Sequence, residues 1–364
     1  MVQDVKGLRH PDGRLARLLP GLEELSPAYF ALVMSTGILS VASFRLGMAA
    51  VAHALFALNI AFYVVLWTLF ALRLLWFPRA MMSDIADHLR GPGFFTVVVA
   101  TSVLGSQVLL LGRNLGLALV LWGLAIVLWT GLTYAIFTIL TVKRSKPPLE
   151  RGINGGWLLA VVATQSVAVL GALLAAHVGQ PWKLEMNFFA LSMWLWGGML
   201  YIWMMSLIFY RYAFFTFEPG DLSPPYWINM GAMAISALAG ALLIANVAHA
   251  PFLQSLQPFI KGFTVFYWAT GTWWIPMLLV LALWRHVYRR FPLRYDPLYW
   301  GAVFPLGMYA AATHAMLGAL GFAFLGWLPW VFLVLGLGAW MGAFVGMLRA
   351  ASRALSAVRQ PSPG

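Results

Sequence analysis

Ten long apolar stretches run along the chain, and every second one opens in the same way. An aromatic residue leads, and small or hydroxyl-bearing residues follow it. Tyr29, Phe94, Trp157, Trp227 and Trp300 lead the five, spaced 65, 63, 70 and 73 residues apart. Seven residues after each stand Thr36, Thr101, Thr164, Ala234 and Gly307. One helical hairpin is written five times, and like units joined in order predict a ring about an axis. A ring of membrane helices with small inward faces encloses a pore.

A bilayer-crossing helix needs about 20 apolar residues. Stretches near 28–47, 51–76, 94–112, 115–142, 155–177, 186–210, 225–248, 258–284, 297–320 and 325–348 satisfy this. With 62% hydrophobic and only 9% charged residues, the chain lacks the charge that a soluble surface of this size requires. The expected fold is an all-α polytopic membrane protein of ten transmembrane helices. These form five parallel hairpins, with odd helices around a central pore and even helices outside. The odd spans have small faces, whereas even spans such as 115–142 are bulky and apolar all round, as a lipid-facing layer should be. No long polar segment interrupts the spans. One transmembrane domain is therefore expected over 26–350, with a cytoplasmic lead-in at 1–25 and a frayed cytoplasmic tail at 351–364.

Basic residues set the orientation. With the N-terminus inside, 19 of the 23 Lys and Arg fall on the cytoplasmic side, leaving Arg45, Arg113, Lys183 and Lys261 outside. Both termini are then cytoplasmic. This asymmetry also accounts for the net charge of +12, so no nucleic-acid partner is expected. There is no cysteine, which excludes disulfides, thiolate metal sites and thiol nucleophiles. No cofactor is expected, and no two histidines are spaced as a metal pair. The 18 tryptophans suggest interfacial belts.

Four of the odd spans have proline at their entrance (Pro27, Pro92, Pro224 with Pro225, and Pro297), and the fifth has Asn154-Gly155-Gly156. Proline suits a first helical turn, where its missing N–H is no loss. Five helix N-termini meeting at one mouth would favour an anion. The predicted lining face lies four, seven, eight and eleven residues after each aromatic. It reads Val33, Thr36, Gly37 and Ser40; Val98, Thr101, Ser102 and Gly105; Val161, Thr164, Gln165 and Ala168; Gly231, Ala234, Ile235 and Leu238; and Phe304, Gly307, Met308 and Ala311. Small residues also serve plain helix packing, but the register repeats five times. Five helices spaced 8–10 Å apart leave an opening of roughly 2–3.5 Å radius, which passes a small dehydrated anion and which a phenylalanine ring nearly fills. No Asp or Glu lies in the middle of a span, which argues against cation pathways and proton relays. His314 is the titratable candidate in the ninth span, as an anion contact, a pH sensor or a packed interhelical donor.

The segments SPAYFALVMSTGILSVA, PPYWINMGAMAISALAGALL and DPLYWGAVFPLGMYAAATHAM resemble the tellurite-resistance/dicarboxylate transporter family. That family includes plant slow anion channels, a bacterial tellurite-resistance channel homologue, yeast sulfite efflux pumps and malate transporters. The resemblance covers about residues 25–350. It implies ten helices in five hairpins, odd helices lining a pore, and assembly as a homotrimer. It also implies that a phenylalanine just before a proline in the ninth helix occludes the pore, a position matched by Phe304 before Pro305. The expectation is an anion channel or channel-like uniporter of the plasma membrane, that of a bacterial inner membrane, passing small inorganic or organic anions. The alternatives are a C4-dicarboxylate, sulfite or tellurite-like oxyanion carrier, proton-coupled or not, and a non-transporting membrane scaffold or enzyme. No GxSxG, HExxH or P-loop pattern supports an enzyme.

Overall fold

Proline at the first or second position, with its φ already set for a helix, starts four of the five odd helices on a 3-10 turn. The fifth turn starts at Gly155. These turns lead into the odd members of ten helices long and apolar enough to cross a membrane, in a computed structural model that describes residues 21–293 and 295–359. The helices are α1 (Pro27–Arg45), α2 (Ala49–Trp76), α3 (Gly91–Leu110), α4 (Leu115–Val142) and α5 (Gly155–Ala175), followed by α6 (Trp182–Phe214), α7 (Pro224–Ala245), α8 (Pro251–Tyr288), α9 (Pro297–Leu320) and α10 (Leu328–Arg353). Most of the lead-in at 1–25 lies outside the described residues. Helix continues beyond α10 to Arg359, where fraying was expected, and 360–364 lie outside the described residues.

Each even helix packs on the odd helix before it and also touches the odd helix after it, and α10 closes the circle onto α1. The odd helices meet in the order α1, α3, α5, α7, α9 and back to α1. Their 3-10 turns touch in the same cyclic order, so all five odd helices point the same way. The odd spans are 67–100% buried and the even spans 17–56%, which gives an inner ring and an outer layer. We call the end where the 3-10 turns meet the entry end, and the opposite end the far end.

Local chemistry explains the sharpness of the entry. Ser26, Asn154 and Asp296 cap their turns by accepting from the backbone N–H two residues on, satisfying donors that a helix start otherwise leaves open. Gly155 is needed for a different reason. A Cβ there would stand 2.6 Å from the Pro225 carbonyl oxygen, so only glycine lets the α5 turn approach the α7 turn so closely.

Basic residues at the entry ends of the even helices tie down the segments leading into their own hairpins. Arg73 donates to the Glu23 carbonyl at 2.8 Å and to Asp84 at 2.6 Å. Lys143 donates to Ala86 O at 2.9 Å, Arg211 to Glu150 O at 2.7 Å, and Arg285 to Leu222 O. Cations also sit well at helix C-termini. The basic excess read as a topology signal is thus also a set of structural ties.

The two layers are joined by a repeated bond. Every odd helix accepts an indole or phenol hydrogen bond from the even helix of the hairpin before it. Tyr63 lies 2.9 Å from Thr101 Oγ1, and Trp129 Nε1 donates to Thr164 Oγ1 at 2.8 Å. Trp194 Nε1 donates to Ser236 O at 2.8 Å and Trp268 Nε1 to Thr313 Oγ1 at 3.0 Å. Trp340 Nε1 closes the series on Thr36 Oγ1 at 2.9 Å. With Trp122 and Trp274, which donate to Val167 O and Tyr201, six tryptophans join helices inside the protein, where an interfacial belt was expected. A buried indole N–H without a partner is costly, and these bonds remove that cost while fixing the rotation of each odd helix.

Candidate functional site

A cavity of about 550 Å³ opens between the far halves of the odd helices, and all five contribute to its wall. Its geometry follows from the entry turns. Eleven residues after the first residue of each turn stand Ile38, Ser102, Ser166, Ile235 and Met308, all in the wall. Three residues further on, Val41, Val169, Leu238 and Ala311 continue it, while α3 continues with Ser106. The far end carries Arg45 and His314, with Gln257 reaching in from α8.

Seven residues after the start of each turn stand Met34, Val98, Val162, Gly231 and Phe304. This is one helical turn before the Ile38–Met308 layer and on the same helix faces, because residues four apart are stacked. Met34, Val98, Val162 and Phe304 are 0% exposed. These five positions lie one helical turn towards the entry end from the cavity wall, and Phe304 is the largest side chain among them. A Cβ on Gly231 would stand 2.7 Å from Pro305 Cγ, so the missing side chain lets α9 press against α7 there. Pro305 cannot donate to the carbonyl four residues back, and the helix ladder is opened beside Phe304. Ser35 Oγ, 2.6 Å from the Trp300 carbonyl oxygen, ties α1 to α9 just before it.

The polar groups of the wall are few. Ser166 and Ser106 spend their hydroxyls on carbonyls of their own helices, Ala163 and Ser102 respectively. Ser102 Oγ is buried and has no hydrogen-bond partner among the described residues. Native structures seldom leave such a group unpaired. Ser102 belongs to the cavity wall, one helical turn from the level of Phe304, with its hydroxyl oxygen packed against the protein.

The residues singled out from sequence separate into three groups. Ser102, Met308, Ala311 and His314 are in the wall, with Ile235 and Leu238. Val98, Gly231 and Phe304 fall in the layer beneath. The remaining residues lie elsewhere. Thr36, Thr101 and Thr164 accept from the outer helices, and Ser40 Oγ donates to Ala52 O of α2. Gly37 lies against Val103, Asn59 and Gln107, Gly105 against Leu170 and Leu121, and Gly307 against Ile38 and Leu39. Gln165 donates to Trp194 O of α6, and Ala234 lies beside Gly271 of α8. Val33, Val161 and Ala168 are buried one residue before the faces that carry Met34, Val162 and Val169. The reason is rotation. Tyr29 and Trp157 are third in their turns, whereas Phe94, Trp227 and Trp300 are fourth from the first turn residue. Counting from the aromatic misplaces α1 and α5 by one residue, about 100° on a helix. Counting from the turn would have found Ser166 and Ile38.

Comparison with known proteins agrees with this architecture. Residues 24–348 match the family model described as voltage-dependent anion channel. An uncharacterized transporter of Methanocaldococcus jannaschii is 27% identical over 313 residues, covering 83% of this chain and 87% of the relative. A second uncharacterized transporter of that organism is 27% identical over 301 residues, covering 80% and 84%. An uncharacterized membrane protein of Mycobacterium tuberculosis is 42% identical over 117 residues, covering 32% of this chain and 59% of its own length. With the family match running from the lead-in of α1 almost to the end of α10, this ten-helix membrane protein belongs to the voltage-dependent anion channel family.

Proposed function

We propose that the protein is a gated anion channel, in which the five odd helices surround the pathway and Phe304 closes it. The observation that carries this reading is the cavity that all five odd helices build, and the burial of Phe304 one helical turn beyond its wall supports the closure. Its wall is neutral and weakly polar, with Arg45 at the far rim. Such a lining attracts an anion without trapping it, as rapid passage requires. Ser102 stands in the wall, and rotation of its unpartnered hydroxyl would turn a donor towards a dehydrated anion one layer above the closure. Pro305 supplies the local weakness in α9 that lets Phe304 move.

The substrates in this reading are small monovalent anions such as chloride and nitrate, moving down their gradient across the plasma membrane. The entry end is cytoplasmic, by the distribution of basic residues. The family resemblance supports a homotrimer in which each chain carries its own pathway. The test is current through reconstituted wild-type and Phe304→Ala protein in chloride, nitrate, sulfite and malate. A gain in the variant, with reversal potentials following the anion gradient, supports the channel. A saturable uptake of labelled oxyanion without current in either protein would replace it with a carrier. His314, a histidine in the cavity wall, is the observation that favours that second reading, and a pH-gradient-driven flux abolished in His314→Gln would establish it.

A further inference from the structure

We infer that the groove between α9 and α10 at the entry end binds an anionic phospholipid. The groove, about 1410 Å³, lies outside the ring of odd helices and away from the cavity. Its walls are apolar, formed by Val303 and Leu306 of α9 and by Met341 and Val345 of α10, and its rim holds Arg349 and Arg353. In the other four hairpins the basic residue ending the even helix is spent on a carbonyl of its own entry segment. In the fifth, Arg349 and Arg353 are exposed and face the groove.

The dimensions fit one leaflet. From Gly338 to Arg353 the helix rises about 22 Å, and half of a bilayer core is about 15 Å. An acyl chain lying along the apolar walls would then bring its phosphate to the two guanidiniums, which suit phosphate geometry. Tyr295, Tyr299 and Trp227 stand at the same end, where aromatic rings favour the headgroup level. A Cβ on Gly338 or Gly342 would meet none of the described residues within 4 Å, so among them the groove floor is open. A helix of a second copy is the other occupant to consider. In a homotrimer a different face of the neighbouring chain would have to enter the groove, and the crosslinking below decides between that and lipid.

The site is tested on lipid alone, so it stands or falls independently of any role for Phe304. The full chain in detergent is titrated with phosphatidylglycerol or phosphatidylcholine, and bound lipid is counted by native mass spectrometry. Wild type should bind phosphatidylglycerol at least tenfold more tightly than phosphatidylcholine. Arg349→Gln with Arg353→Gln should remove that preference. Gly342→Leu, which fills open space and keeps both charges, should lower binding of both lipids at least fivefold. Equal affinity for the two lipids, or a preference that survives the double arginine variant, would overturn the proposal. So would crosslinking that finds the groove covered by a second copy.

Discussion

Phe304→Ala offers the most direct measure of the proposed closure. Phe304 is wholly buried, so moving it aside to open a path removes an apolar side chain from its packing, at a cost of about 1.5–3 kcal/mol. If that work limits conduction, deleting the ring raises the current roughly 10- to 150-fold, at about 1.36 kcal/mol per factor of ten. The layer that remains, Met34, Val98, Val162 and Gly231, is lined by smaller or more flexible groups. The assay is chloride current in planar bilayers, normalised to reconstituted protein, with ion selectivity from reversal potentials. Phe304→Leu keeps part of the plug and should fall between wild type and the alanine variant. Truncating a buried phenylalanine also costs about 3–5 kcal/mol of stability, so melting and elution must show that the variant is folded. Unchanged currents in folded Phe304→Ala and Phe304→Leu would refute the closure and leave the layer as packing alone.

Three other substitutions probe separate parts of the argument. Ser102→Ala in the Phe304→Ala background should reduce anion occupancy roughly tenfold, as expected for a lost hydrogen bond to a charged group, read from the concentration dependence of current. The same change should not lower the melting temperature, because it removes a buried hydroxyl that has no partner, and a clear drop would show that the hydroxyl is used in packing. Gly155→Ala should cost about 1–3 kcal/mol, because its Cβ would meet the Pro225 backbone at 2.6 Å, and an unchanged melting temperature would mean that the entry turns are looser than they stand here. Arg73→Gln should destabilise by about 1–3 kcal/mol, the usual effect of losing hydrogen bonds made by a buried charged group, since Arg73 is 1% exposed and bonded to Asp84 and Glu23 while Arg90 keeps Asp84 paired. Denaturation in mild detergent checks it.

The ten helices were legible because length and apolarity are forced by the bilayer, and the inner and outer layers because small faces and bulky faces alternate along the chain. The cyclic order was legible because the hairpin repeats. Rotation about each helix axis was not. The aromatic residues that mark the repeat are one position out of step in α1 and α5, so Gly37 and Gln165 were read where Ile38 and Ser166 stand. Hydroxyls gave a second false cue. Thr36, Thr101 and Thr164 satisfy aromatic donors of the outer layer, and one sequence does not distinguish a hydroxyl that holds a helix from one that meets a solute. The Ser102 hydroxyl differs only in lacking a partner, which is a property of the folded packing and not of the local sequence. The ties made by Arg73, Lys143, Arg211 and Arg285 were hidden because their acceptors are backbone carbonyls, which carry no side-chain signature.

The bond between Trp340 and Thr36 spans 304 residues, and that between Ser35 and Trp300 spans 265. α1 is therefore completed by α9 and α10, made long after it. Ribosomes add about 5–20 residues per second, so α1 waits roughly 15–60 s in the bilayer before its final neighbours exist. During that time its small, hydroxyl-bearing surface lacks the helices that will cover it. The cell must shelter this helix at the insertion machinery or tolerate it among lipids, and a chain cut short before α9 would leave it there permanently.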